Sequence, residues 1–415
     1  MFRISTNMPN DDMQYRLRRK EEGISGIQSK IASGTRLHEL RDDPFAATHA
    51  VRYESYMARL ERFEKNSLDA REDFEFKNNY LRHANEIMQR VRELAVQGAN
   101  GIYSKDETKM MGVEVNELLK ELVSVANASD KDGYRMFGGD KAFTEPFRVI
   151  DGSVSGLGEE AAIRVEYRGA GANRRQEITD RTYTNIDISG GDAFWAEKMQ
   201  VASNINAENY AVASASSIFI DGNEIPVNQG DNVLAIAEKI NASSAPVKAY
   251  LDPETRGLVI EGTDAHLIRM EDAQGSTVLQ DLGLTKAVFE EGAPNFATSA
   301  RVSGGSIFDV VIGLRDAMLN GDQQYIGGQA LGGLDQGMDN LRTRIADLGS
   351  RAERAEKNWE RLNMEIPAVA QSLDREAGID LANAALELGN MDMAHKAALQ
   401  TAARILPPTL LDFLR

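Results

Sequence analysis

The side chains that could do chemistry in this sequence are few and scattered. Histidine, the usual proton carrier and metal ligand near neutral pH, occurs five times, as His38, His49, His83, His266 and His395. No two stand four residues apart, as a metal pair on one helix face requires, and no HExxH motif occurs. Each is read as a surface or satisfied structural residue. Asp42 and Asp43 offer paired carboxylates, but Pro44 follows them. A structural turn, with Asp43 as an acidic cap ahead of a first-turn proline, is the stronger reading. Phosphate-cradling loops need a strand, a patterned glycine turn and a helix, and in the P-loop a lysine. The glycine pairs at 138–139, 304–305, 327–328 and 332–333 have no such setting and read as turns. Arg351 and Arg354, with Glu353 and Glu356, read as a solvated helix face. Cysteine is absent, which excludes disulfides, thiolate metal sites and cysteine nucleophiles. No catalytic, cofactor-binding or metal-ligating set emerges, so the expectation is a protein that is not an enzyme and carries no cofactor.

The elements around these residues are more informative. A chain of 415 residues is too long for one ordinary core. A net charge of −17 argues against nucleic acid, whose phosphates need a basic face, and against anionic membrane surfaces. The opening "MFRISTNMPNDDMQYRLRRK" has no continuous apolar segment, so no cleavable secretory signal is expected. No stretch approaches a membrane span. The chain is expected to stay in the cytosol or to leave by a route that does not read such a signal.

Heptads dominate the two ends. From Tyr56, alternating steps of four and three meet Leu60, Phe63, Ser67, Ala70, Phe74, Lys77, Leu81, Ala84, Met88, Val91 and Ala95. Only Ser67 and Lys77 break the apolar stripe, which is the pattern of a coiled-coil seam. A helix from Pro44 to Gln97 would be roughly 80 Å long at ~1.5 Å per residue. A second seam runs through Met338, Leu341, Ile345, Leu348, Ala352, Ala355, Trp359, Leu362, Ile366, Val369 and Leu373. Pro367 lies inside it and predicts a kink or break just before it. The two seams are each other's simplest partners. Between them, Ser104 and Glu107 form a capping box for a helix carrying Met111, Val115, Leu118, Leu122 and Val125. A fourth helix is expected from Ile307 to Asn320.

From about Phe147 to Ser299 the heptads vanish. "AAIRVEYRG" and "SSIFIDGNEIPV" alternate like strands, with Asp221-Gly222 as a hairpin turn. "NVLAIAEKINA" reads as a short amphipathic helix and "LVIEG" as another strand. The fold class expected is mainly α: a long coiled-coil rod built by both chain ends, with a central α+β insert rich in short strands. The expected division is 1–42 as an N-terminal segment, 43–146 plus 300–375 as the paired rod, 147–299 as the insert and 376–415 as a C-terminal helix.

Four stretches resemble a known family. "FRISTNM" (2–8), "SGTRLHELRDDPFAA" (33–47), "DGYRMFGGDKAFTEPF" (132–147) and "LQTAARILPPTLLDFL" (399–414) resemble the flagellin superfamily, and within it the hook-associated protein 3 branch of hook–filament junction proteins. "IFIDGNEIPVNQGDNVLAIAEKINAS" (218–243) through "DLGL" (281–284) resembles a small βαβ-like module of that superfamily. The resemblance implies a structural protein of the bacterial flagellum, exported unfolded by the flagellar type III route. Its implied location is an external flagellum or one confined to the periplasm. Its implied partners are adjacent copies of itself in a ring, a neighbouring hook-associated protein, flagellin and an export chaperone, with no nucleic acid and no membrane insertion. Residues 1–42 and 376–415 would then pair and line an inner tube.

The apolar tip fits that picture. Chain ends are usually polar and frayed, yet this one carries Leu410, Leu411, Phe413 and Leu414. With Ile4, Leu399 and Ile405, these are the expected assembly contacts. The expected seam residues are Leu60, Phe63, Phe74, Leu81, Met88, Val91, Leu341, Ile345, Leu348, Trp359 and Leu362. A filament flagellin is the nearest alternative. An export chaperone or translocator is a more distant one, because it has no reason to pair heptads at opposite chain ends around a strand-rich insert.

Overall fold

The computed structural model describes residues 8–37, 43–139, 141, 143–171, 174–287 and 295–405. Along the chain come α1 (Met8–Ser33), α2 (Pro44–Ala99) and α3 (Lys105–Ala126). Strands β1 (Phe147–Ser153), β2 (Glu160–Tyr167), β3 (Arg175–Thr179) and β4 (Thr182–Asn185) follow, then a turn of helix, α4 (Gly190–Ala193). Next are β5 (Gln200–Ser203), β6 (Ser216–Ile220), β7 (Asn223–Val227), α5 (Val233–Ala242), β8 (Val247–Leu251), β9 (Leu258–Gly262) and β10 (Met270–Asp272). The chain closes with α6 (Val278–Asp281), β11 (Ala300–Ser303), α7 (Ile307–Asn320), α8 (Gln323–Tyr325), a π-helical turn (Ile326–Ala330), α9 (Leu331–Ala377) and α10 (Leu381–Ile405). The fold is mainly helical, with long helices from both chain ends and a strand-rich insert between them. None of the described helices is long and apolar enough to cross a membrane.

The chain forms two compact units, Met1–Lys65 with Trp359–Arg415, and Asn66–Asn358. In the larger unit, α2 and α9 run antiparallel. Arg92 donates to Asp335 at 2.6 Å and Arg71 to Glu356 at 2.7 Å, so rising numbers on one helix meet falling numbers on the other. Phe74, Leu81, Met88, Val91, Leu341 and Leu348 are buried in one core with α3 and α7, and Ile345 packs on it half-buried. Both shorter helices start at capping boxes, Ser104 with Glu107 and Ser306 with Asp309. These close otherwise orphaned backbone N–H groups in both directions.

The two polar interruptions of the α2 stripe mark where the insert docks. Ser67 is fully buried and accepts from Asn358 Nδ2 at 2.7 Å, which also donates to the Ile178 carbonyl in β3 at 2.7 Å. Lys77 is 1% exposed, and its Nζ reaches Asp73 (2.5 Å), the Ile186 carbonyl (2.6 Å) and Asp187 (3.3 Å). The strand hairpin brings polar backbone to the seam, and the seam answers with polar side chains. Aromatic rings fasten the other end of the insert. Phe147 lies 4.9 Å from Phe308, 5.0 Å from Tyr167 and 5.4 Å from Phe194. Gly190 approaches them so closely that a Cβ would meet Tyr167 at 2.6 Å and Phe147 at 2.7 Å.

All strand pairs are antiparallel. The sheets are β1-β2, β3-β4, β10-β6-β7 and β11-β5-β9-β8. Asp221 (φ 49°) and Gly222 (φ 77°) make the two-residue hairpin turn between β6 and β7, a left-handed pair that suits strand twist. The module expected to be βαβ-like differs in topology: α5 leads from β7 of one sheet to β8 of another, and among the described residues no parallel pair forms. It still holds its own core, with Ile218, Ile220, Ile225, Val227, Ile236, Ile240 and Ile260 buried together.

In the smaller unit, Leu60, Phe63 and Leu362 are buried together, with Tyr56, Ile366 and Val369 packed on them. The break anticipated before Pro367 is absent: α9 runs unbroken through it to Ala377. Pro367 sits on the exposed face, where water can solvate the carbonyl it leaves unbonded, while Leu362, Ile366 and Val369 hold the helix from its packed side. The C-terminal helical run breaks instead at Gly378. A Cβ there would stand 2.3 Å from the Asp374 carbonyl, and Asp380 then caps α10 by accepting from Ala382 and Asn383.

Candidate assembly interface

Helices α1 and α10 pack against each other, and their half-buried and buried residues follow heptads that the sequence reading missed. On α1 these are Met13, Leu17, Lys20, Ile24, Ile27 and Ile31. On α10 they are Ala384, Leu388, Met391, His395, Ala398 and Ala402. Steps of four and three would have found both stripes. They were masked because Lys20 and His395 interrupt them and half of the α10 positions are alanine. Gly23 admits Met391, whose sulfur would lie 3.3 Å from a Cβ on that glycine. Lys20 donates to the Ala394 carbonyl at 3.1 Å, and His395 stands 3.7 Å from Glu21.

The pair leaves one face of α10 apolar, while the exposed side of α1 is mostly charged or polar. Leu386 and Met393, seven residues apart on α10, are 67% and 63% exposed. Seven residues are nearly two turns, so the two side chains share one face, opposite the stripe that meets α1. Leu381 and Leu399 are also exposed, and on α1 so is Tyr15. Two helices alone cannot enclose apolar side chains on all sides, so this surface is chemically fitted to more helix rather than to water.

Of the residues expected to make assembly contacts, Leu399 is on α10 and Ile405 ends it. Ile4, Leu410, Leu411, Phe413 and Leu414 lie outside the described residues, as do Asp42 and His38. Asp43 precedes Pro44 at the start of α2. Its Oδ1 accepts from the Ala46 N–H at 3.1 Å, and that bond, with help from Arg36, holds the carboxyl below its usual range. Trp359 is half-buried in the smaller unit.

The remaining candidates for chemistry are structural. The glycine pairs at 327–328 and 332–333 are helical rather than turns. Gly333 is small because a Cβ would press within 3.0 Å of Val310 on α7. The face around Arg351 is only partly solvated: Arg351 donates to the Asn185 carbonyl at 3.3 Å, and Glu356 binds Arg71. His49 and His83 pair with surface carboxylates.

His266 differs. It is 3% exposed and sits between Asp221 Oδ2 (3.1 Å) and Asp264 Oδ1 (3.1 Å), with Arg344 2.9 Å from Asp264. Burial opposes its charge, but hydrogen bonds to the two carboxylates outweigh burial and push it up to about 10. The bond from His266 likewise pulls Asp264 down to about 2. A raised histidine stabilises the fold fully below its ordinary value near 6.5 and loses that contribution as pH climbs through 10. A lowered aspartate contributes above about 3.8 and loses it as pH falls toward 2. The melting temperature is therefore expected to fall on both sides of a pH 4–6.5 plateau. The loss caused by His266→Gln should be several degrees on that plateau and fade by pH 10. A loss that does not vary with pH would refute the ion-pair account. Among the described residues no group of three potential metal ligands converges.

Comparison with known proteins adds family relationships to this geometry. A family model for the bacterial flagellin N-terminal helical region matches residues 4–142, and one for the flagellin hook IN motif matches residues 212–264. The first covers α1 to α3, and the second the β6–α5–β9 module. Flagellin FlaB1 of Treponema pallidum is 29% identical over 150 residues, 35% of this chain and 52% of that protein. The flagellar filament 30.7 kDa core protein of Treponema maltophilum is 28% identical over 225 residues, 53% of this chain and 73% of that protein. Flagellin of Listeria monocytogenes is 29% identical over 135 residues, 32% of this chain and 47% of that protein. The chain thus spans about half the length of FlaB1 and of the Listeria flagellin. Among solved structures, flagellar hook associated protein-3 from Legionella pneumophila is similar with a TM-score of 0.46 at 19% identity, over 78% of this chain and 97% of that one.

Proposed function

Since this chain belongs to the flagellin superfamily, sharing its N-terminal helical region and its IN motif, we propose that it is the subunit that joins hook to filament in a bacterial flagellum. The observation that carries an assembly role is the α1–α10 pair, which closes one apolar seam and leaves Leu386 and Met393 facing outward. Copies arranged in a ring cover that face. Each such side chain contributes ~1.5–3 kcal/mol when fully buried. The chain reaches this place by flagellar export, met beforehand by a chaperone and afterwards by a hook-associated neighbour and by flagellin. Its work is mechanical, and no catalytic step is assigned to it.

Three stretches favour the junction over the filament: Asp43-Pro44, the loop from Tyr134 to Gly139, and the Leu-Leu-Asp-Phe-Leu ending at 410–414. The loop supports the fold directly, since Phe137 is fully buried and its carbonyl accepts from the Tyr167 hydroxyl at 2.8 Å. A filament subunit is the second reading, favoured by curated relatives that are themselves flagellins and filament core proteins. Immunogold labelling of intact flagella with antibody to residues 147–299 separates the two. A short band between hook and filament is expected. Label along the whole filament would make the chain a filament subunit.

A further inference from the structure

The chain has two Asn-Gly dipeptides, Asn100-Gly101 and Asn320-Gly321. An asparagine side chain can be attacked by the backbone nitrogen of the residue after it, and glycine puts no side chain in the way. Both asparagines are exposed, so access does not separate them. Their backbones do. Asn320 is the last residue of α7. A helical side chain leaves its backbone toward the helix N-terminus, away from the nitrogen that follows. That nitrogen is also engaged: the Gly321 N–H donates to the Met318 carbonyl at 3.3 Å and to the Ala317 carbonyl.

Asn100 lies beyond α2, in the turn that leads to α3. Among the described residues nothing accepts from the Gly101 N–H and nothing bonds the Asn100 side-chain amide. The Asn100 carbonyl accepts from the N–H groups of Ile102 at 2.8 Å and Tyr103 at 3.5 Å. These bonds polarise the peptide between Asn100 and Gly101 and make its N–H more acidic. The three Asp-Gly dipeptides, which react the same way with loss of water, are held. The Gly133 N–H donates to the Asp130 carbonyl at 3.1 Å, Gly152 lies in β1 opposite Ala161, and the Asp221 carboxylate accepts from the Arg269 N–H at 2.8 Å.

We propose that Asn100 is a site of spontaneous modification, converted to isoaspartate and aspartate while Asn320 persists. The Gly101 nitrogen bonds to the side-chain amide carbon of Asn100, the bond from that carbon to the amide nitrogen breaks, and ammonia leaves with the proton that Gly101 gives up. Water then opens the cyclic imide. Opening at the backbone carbonyl leaves isoaspartate, with the main chain rerouted through the former side chain, and opening at the other carbonyl leaves aspartate. Either product adds a negative charge to the turn, and isoaspartate also lengthens the link between α2 and α3 by one carbon. The inference does not depend on the choice between junction and filament.

The full-length chain is held at mildly alkaline pH, folded in one sample and in urea in another, and digested at intervals for mass spectrometry. In the folded chain the peptide holding Asn100 should gain one dalton at least tenfold faster than the peptide holding Asn320. Its isoaspartate form should accept a methyl group from S-adenosylmethionine through an isoaspartyl methyltransferase. In urea the two rates should converge to within a few-fold. Gly101→Ala should fold, since a Cβ there meets only Gln323 Oε1 at 3.7 Å, and should slow conversion of Asn100 at least tenfold. Equal rates at the two sites in the folded chain, or an Asn100 rate that Gly101→Ala leaves unchanged, would overturn the proposal. So would folding that slows Asn100 as much as it slows Asn320.

Discussion

Replacing both Leu386 and Met393 by glutamate is expected to abolish assembly while leaving the chain folded. Neither side chain is buried in its own unit, and glutamate is a good helix former, so α10 loses nothing intrinsic. At an interface between copies the same change removes ~1.5–3 kcal/mol of apolar burial at each position and places a carboxylate where water is excluded. Together the two sites should weaken each contact by more than about a hundredfold. In the proposed ring the loss would recur at every contact between copies. Circular dichroism of the purified variant should match the parent. Isolated flagella from cells expressing only the variant should lack it. A variant that enters flagella normally would place the assembly surface elsewhere, and the α1–α10 pair would then be a self-sufficient hairpin.

The second large effect is expected inside the fold. Lys77→Ala removes a cation that is 1% exposed and that binds Asp73, Asp187 and the Ile186 carbonyl. Arg174 still reaches Asp187 at 3.0 Å, though from a half-exposed position. Breaking a buried pair from one side typically costs ~3–5 kcal/mol, because the remaining charge stays buried. The urea midpoint of the larger unit should fall accordingly, and protease should cut first between Arg174 and Asp187, where the β3–β4 hairpin loses its anchor. Adding Asp187→Asn to Lys77→Ala should recover part of the loss, since one of the carboxylates that Lys77 neutralised is then uncharged. A midpoint within experimental scatter of the parent would mean that Lys77 is a bystander and that Ser67 and Asn358 hold the hairpin unaided.

These two predictions draw on different kinds of information. The local signals were legible in the sequence because the interactions behind them are local. Ser104 with Glu107, Ser306 with Asp309, the Asp221-Gly222 turn and the α5 amphipathic pattern all act within a few residues. The seam of α2 was equally legible, since a stripe repeated over several heptads survives two exceptions. Why Ser67 and Lys77 are those exceptions was not. Asn358, which donates to Ser67, and the Ile186 carbonyl, which accepts from Lys77, lie more than a hundred residues away. Pro367 misled for the opposite reason. Its local cost is real, but an exposed position and packing on either side of it outweigh the cost. Gly378, which does break the helix, is distinguished from the helical Gly332 and Gly333 by Asp380 two residues on, a helix-start residue that the sequence reading passed over. The α1–α10 stripes stayed hidden because alanine, lysine and histidine become seam residues only when a particular partner helix comes close. By itself, then, the sequence determined the capped starts of α3 and α7, the Asp221-Gly222 turn, the long seams of α2 and α9 and that the middle is strand-rich. The tertiary structure alone decided which strands share a sheet, which polar groups are buried and which apolar face is left uncovered, because those depend on neighbours far apart in the chain.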